Sequence, residues 1–162
     1  MKAIVYNSNT GLTQKYAKML SKQTGLPAVK LADAKKTLKK NDEIIFMGWI
    51  MGGIIAGLHK AKRYNVKAVG AVGMSLKEDK YTEFLIKTNK LEIPCFYMQG
   101  GLDVSKLKGI KAVAIKIVGN LFSKKKDMTE EGKAAAEMFT HANDFTSEEN
   151  LAEFSDWCKI NK

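Results

Sequence analysis

Five short apolar runs alternate with stretches of helical spacing, and this alternation constrains the fold more than any other feature of the chain. The runs lie at residues 3–6, 28–31, 43–47, 67–73 and 93–98. The third, Glu43-Ile44-Ile45-Phe46-Met47, is apolar at consecutive positions, as a strand covered on both faces must be. The fourth is rich in small residues that let helices pack close. Between the last two, Tyr81, Phe84, Leu85 and Thr88 recur at helical spacing and predict a buried stripe. A short helix is expected near residues 57–64. The last helix is expected behind a capping box from Thr146 to Glu149, with Leu151, Phe154 and Cys158 facing inward. Strands joined by helical crossovers imply a parallel sheet wound on both faces.

The first strand runs into Ser8, Asn9, Thr10, Gly11, Leu12 and Thr13, and a helical pattern follows at Leu12, Tyr16, Met19 and Leu20. Free N–H groups of a first helical turn, the positive end of its dipole and three hydroxyls can converge there on one anion. Neither Lys nor Arg lies within the run, and no G-x-x-x-x-G-K-[ST] occurs in the chain. That argues against a nucleoside triphosphate with its magnesium, and the turn also lacks G-x-G-x-x-G. A terminal monophosphate held by neutral donors remains. The alternative is that Ser8, Thr10 and Thr13 do no more than cap the helix.

This run resembles the phosphate loop of the flavodoxin family, [ST]-x-T-G-x-T, in its place directly after the first strand. The resemblance implies FMN as cofactor and a flavodoxin-like doubly wound α/β fold. Its five-stranded parallel sheet would have the order 2-1-3-4-5, with FMN at the switch point beside strands 1 and 3. The loops after strands 1, 3 and 4 then face the ligand. After strand 3 come Gly48, Trp49, Ile50 and Met51, followed by further glycines through Gly57. Trp49 matches the aromatic residue that flavodoxins often set against the isoalloxazine; otherwise it plugs the core at the strand end. After strand 4 come Gly73, Met74 and Ser75, without the aromatic residue often found in that second flavin loop. The Gly-rich run Gln99-Gly100-Gly101-Leu102-Asp103 could close over the ring edge or form a simple turn.

A minimal flavodoxin would reach its last helix soon after strand 5, but here residues 103–145 intervene. Val104, Leu107, Ile110, Val113, Ile117 and Leu121 keep helical spacing, so a helical insertion is expected. Residues 102–126 carry seven lysines against Asp103 alone, whereas residues 127–162 carry three lysines and nine acids. The lysines are either a solvated face or a surface for an anionic substrate, an acidic partner or a peripheral membrane contact. The phrase from Gly100 to Leu107 is similar to the flavodoxin-domain group that includes menaquinone-dependent protoporphyrinogen oxidase. This likeness implies an FMN-dependent oxidoreductase acting on a small organic substrate or quinone. A plain electron carrier docking to redox partners is the alternative.

Composition narrows the remaining classes. With 162 residues, 45% of them hydrophobic, one core and a single domain over residues 1–162 are expected. No apolar run is long enough to span a membrane, and the chain begins directly with a strand, which points to the cytoplasm. Cys95 and Cys158 read as reduced core thiols, and His59 and His141 have no ligand-spaced partners, so no metal residue is assigned. A formal net charge of +10 raises a nucleic-acid-binding module as a third reading, which lacks any recognition motif. No nucleophilic or acid–base constellation is visible, and no catalytic residue is assigned; a bound flavin would carry the chemistry itself.

Overall fold

The structure is a computed structural model and describes residues 1–102 and 143–161. Its central sheet is built from β1 (Ala3–Asn7), β2 (Ala28–Lys30), β3 (Glu43–Met51), β5 (Asn65–Gly73) and β6 (Cys95–Gln99). These are parallel and lie in the order β2-β1-β3-β5-β6, which is the order 2-1-3-4-5 when the five parallel strands are counted alone. The architecture is that of a flavodoxin-like doubly wound sheet. The helical insertion expected over residues 103–145 lies outside the described residues except at its end.

Two apolar clusters cover the two faces. On one, Ala3, Val5, Ile44, Phe46, Val69 and Ala71 meet helices α2 (Ala34–Thr37), α3 (Leu58–Ala61) and α4 (Asp79–Thr88). On the other, Ile4, Tyr6, Ile45, Met47, Val72 and Met98 meet α1 (Leu12–Thr24) and α5 (Glu148–Ile160). Strand side chains alternate between faces, so the unbroken apolar run 44–47 places Ile44 and Phe46 on one side and Ile45 and Met47 on the other. A Cβ at Gly70 would lie 2.7 Å from the Phe154 ring and 2.8 Å from the Met98 methyl. The small residue thus lets α5 settle on the sheet. Phe154 stacks there on Phe96 at 4.6 Å between ring centroids, and burying such a ring contributes about 1.5–3 kcal/mol.

Several local expectations change. The third strand does not stop at Met47 but continues to Met51 and turns back as β4 (Ile54–Ile55), with Ile50 opposite Ile55 and Met51 opposite Ile54. Gly52 and Gly53 form the two-residue connection, both at positive φ (55° and 81°), which matches the twist a tight hairpin requires. Within α4 only Leu85 is fully buried. Phe84 is 49% exposed because its ring lies over Gly53 and on Tyr81 instead of over the sheet.

The last helix starts one residue later than expected. Ser147 is its N-cap and accepts from the Asn150 N–H at 3.1 Å. Thr146 is instead engaged ahead of the helix, its N–H and hydroxyl both donating to the Asp144 carboxylate. Leu151, Phe154 and Cys158 are buried as the pattern required. Short strands β7 (Gly101–Leu102) and β8 (Asn143–Asp144) pair antiparallel and bring the two described ends of the chain around residues 103–142 together.

Candidate functional site

The turn at residues 8–13 leaves β1 at its carboxyl end, where an open α/β sheet presents ligands. Gly11 stands at the head of α1 with φ 102°, in the left-handed region that glycine tolerates. Its N–H donates to the Ser8 hydroxyl at 3.1 Å, so Ser8 shapes the turn from within. Among the described residues no side chain caps α1 and none lies within 4 Å of a Cβ added at Gly11, and the first turn carries no acid. Thr10 and Thr13 are buried, and Leu12 is packed inward beside them. An uncapped, acid-free start of a thirteen-residue helix with hydroxyl side chains around it fits a phosphate group.

Gly48, Trp49, Ile50 and Met51 belong to the strand that pairs with β1, not to a free loop. Asn7, the last residue of β1, is paired in register with Gly48, and Trp49 is paired with Val72 of β5. Trp49 and Ile50 are half-buried, while Met51 is 62% exposed at the hairpin tip. Two asparagines hold this hairpin. The Asn7 amide donates to the Ala56 carbonyl at 3.0 Å. The Asn89 amide donates to the Gly53 carbonyl at 2.8 Å, and its oxygen accepts from the Ile55 N–H at 2.9 Å.

Gly73, Met74 and Ser75 follow at the end of the next strand. A Cβ at Gly73 would approach the Ile50 side chain to 3.0 Å, so the ends of β3 and β5 touch here. The Tyr97 hydroxyl donates to the Ser75 carbonyl at 2.5 Å, and the Gln99 amide reaches the Met74 carbonyl at 3.4 Å. Burial holds the Tyr97 hydroxyl well above the usual phenol range, with smaller contributions from Tyr81 and Tyr16. It therefore stays a donor. Gly100, beyond β6, donates its N–H to the Gly73 carbonyl at 2.7 Å.

All three segments singled out in the sequence thus sit at the carboxyl ends of adjacent strands β1, β3 and β5. Asn7, Asn89, Tyr97 and Gln99 brace them; of these the sequence marks only Gln99, in the Gly-rich run after the fifth strand, as a site candidate. The signal for Asn7 was a polar residue ending an apolar strand just before the turn; for Asn89 it was an Asn directly after a helical stripe. Among the described residues no three His, Cys, Asp or Glu side chains group closely enough to hold a metal ion. No described helix is long and apolar enough to cross a membrane. A cavity of about 690 Å³ opens on the opposite face from α1, and of the residues that brace the three segments only Asn7 lines it. No family model matches the chain, and no curated protein matches it.

Proposed function

We propose that this protein binds FMN at the ends of β1, β3 and β5 and works as a redox protein, an oxidoreductase of the protoporphyrinogen-oxidase-like flavodoxin group acting on a small organic substrate or quinone. One observation carries the reading: an uncapped, acid-free helix start directly follows the strand beside the point where the sheet reverses its winding order. When bound, FMN supplies acceptance and donation of electrons. The chain supplies placement. Leu12 and Thr13 N–H groups with the Thr10 and Thr13 hydroxyls would hold the phosphate, aided by the Ser8–Gly11 turn. Trp49, Ile50 and Met51 would offer apolar surface to the ring, with Gly73, Met74 and Ser75 on its other edge.

The alternative, an electron carrier that docks to redox partners, is favoured by one feature. Met51, Ile54 and Leu76 are exposed at 62%, 52% and 65%, and lie at or just beyond the carboxyl ends of β3 and β5. Apolar side chains at that edge suit a transient docking face. A cytoplasmic location accords with both thiols being free.

The test is the visible spectrum of the purified protein, followed by anaerobic reduction in the presence of small quinones and porphyrinogens. A flavin spectrum with turnover of a small substrate supports the oxidoreductase. A flavin spectrum with electron exchange to proteins alone supports the carrier. A colourless protein that takes up no added FMN overturns both.

A further inference from the structure

The cavity beside Asn7 lies at the carboxyl ends of β1 and β2, on the face covered by α2 and α3. Its apolar wall comes from Leu31 and the buried Tyr64, and its rim from Lys35 on α2, Lys60 on α3 and Arg63 just beyond. His59 adds a ring nitrogen donor, and among the described residues no Asp or Glu contributes to the lining. The volume of about 690 Å³ is that of a small-molecule site.

Its lysines and arginine make no ion pair among the described residues, a state they share with other exposed lysines such as Lys18, Lys22 and Lys80. Elsewhere Lys2, Lys15, Lys36, Lys67, Lys77 and Lys159 each pair with a carboxylate within 4 Å. Lys36 takes Asp33, the acid closest in sequence to Lys35, and leaves Lys35 with no carboxylate partner among the described residues. Lys60 and Arg63 also have none there. The Arg63 guanidinium lies over the Tyr64 ring, 5.4 Å from its centroid, at the rim of the opening. Three like charges around one opening repel one another, and an anion entering between them relieves that repulsion. A single carboxylate would engage one of them; an anion with two or more charges engages them together.

We propose that this cavity binds a small organic phosphate carrying at least two negative charges, a diphosphate being the simplest, as a site separate from the turn at residues 8–13. Lysine point charges and an arginine fork are both suited to phosphate oxygens. The two sites share a wall, because Asn7 lines the cavity and Ser8 opens the turn. A ligand here therefore sits beside whatever the turn holds, on the other face of the sheet. The inference does not depend on the FMN reading.

The probe is inorganic pyrophosphate, titrated calorimetrically into the full chain at low salt. One molecule should bind, and added salt should weaken it. Lys60→Gln with Arg63→Gln should lower the affinity about tenfold or more, and Lys35→Gln alone severalfold. Lys18→Gln with Lys22→Gln, exposed on α1, and Thr10→Ala with Thr13→Ala should leave it unchanged. If the Lys60/Arg63 double variant does not fold, the exposed Lys35→Gln decides by itself. Absence of binding, or an equal loss in the α1 lysine control (an adventitious ion only), overturns the proposal. So does a loss confined to the Thr10/Thr13 variant, which would make the turn the sole phosphate site.

Discussion

The Tyr97 hydroxyl donates to the Ser75 carbonyl oxygen at 2.5 Å, so a buried residue of β6 fixes the loop that follows β5. Tyr97 is itself held edge-on by Tyr81 at 5.1 Å, which couples α4 to the same loop. Tyr97→Phe keeps the ring and removes the donor, leaving the Ser75 carbonyl without it. Stability should fall by about 1–2 kcal/mol, measured by denaturant unfolding, and FMN affinity should fall with it. Unchanged stability with unchanged affinity would mean that the loop is held by other groups.

Gly48 tests crowding at the hairpin. A Cβ there would lie 2.7 Å from the Ile55 side chain and 2.9 Å from the Ala56 carbonyl oxygen, which the Asn7 amide already holds. Gly48→Ala should cost about 1–3 kcal/mol through overpacking. Gly52→Ala meets open space at φ 55° and should cost about 1 kcal/mol from the backbone alone. Equal small losses for the two would show that the hairpin moves aside.

Burial pushes the Cys95 thiol up to about 12 and the Cys158 thiol up to about 11. Both folded values stand above the unfolded thiol value of about 8.5. The stabilisation is therefore fully present below that pH and is lost as pH rises towards the folded values. Native protein at pH about 8 should resist alkylation at both cysteines, whereas unfolded protein labels at both. Denaturant midpoints should decline between pH about 8 and 11. Rapid labelling of the native protein would contradict the burial.

Trp49 is half-buried on β3, whereas Trp157 lies on α5 against Phe96 at 5.9 Å. Adding FMN to flavin-free protein should strongly quench the emission, and Trp49→Phe should remove most of that quenching. Quenching as strong in the variant as in wild type would place Trp49 away from the ring.

The strands of the sheet were legible because each announces itself locally, as the unbroken 44–47 run does, whereas their order came from the resemblance to the flavodoxin family. The turn at residues 8–13 was legible for the same reason, being one local run. Whatever depends on distant partners was hidden. Tyr97 reaches Ser75 across 22 residues, and Asn7 reaches Ala56 across 49, so neither partner could be named from the local run. The hairpin has no sequence mark of its own, because Gly52-Gly53 looks the same whether it loosens a loop or makes a tight turn, and two-residue β4 is too short to show alternation. The helix cap shifted by one because Thr146 and Ser147 are both capable caps, and the local run does not say which of them accepts the helix N–H.

The most direct test of the central claim compares FMN with riboflavin, two ligands that differ only in the phosphate, on wild type and on Thr10→Ala with Thr13→Ala. Each lost hydroxyl contact to a charged phosphate is worth about 1.5–3 kcal/mol, so FMN affinity should fall about a hundredfold or more. Riboflavin, which never engages the turn, should bind both proteins nearly alike. Parallel losses for the two ligands, or a wild-type protein that binds neither, would contradict a phosphate site at residues 8–13.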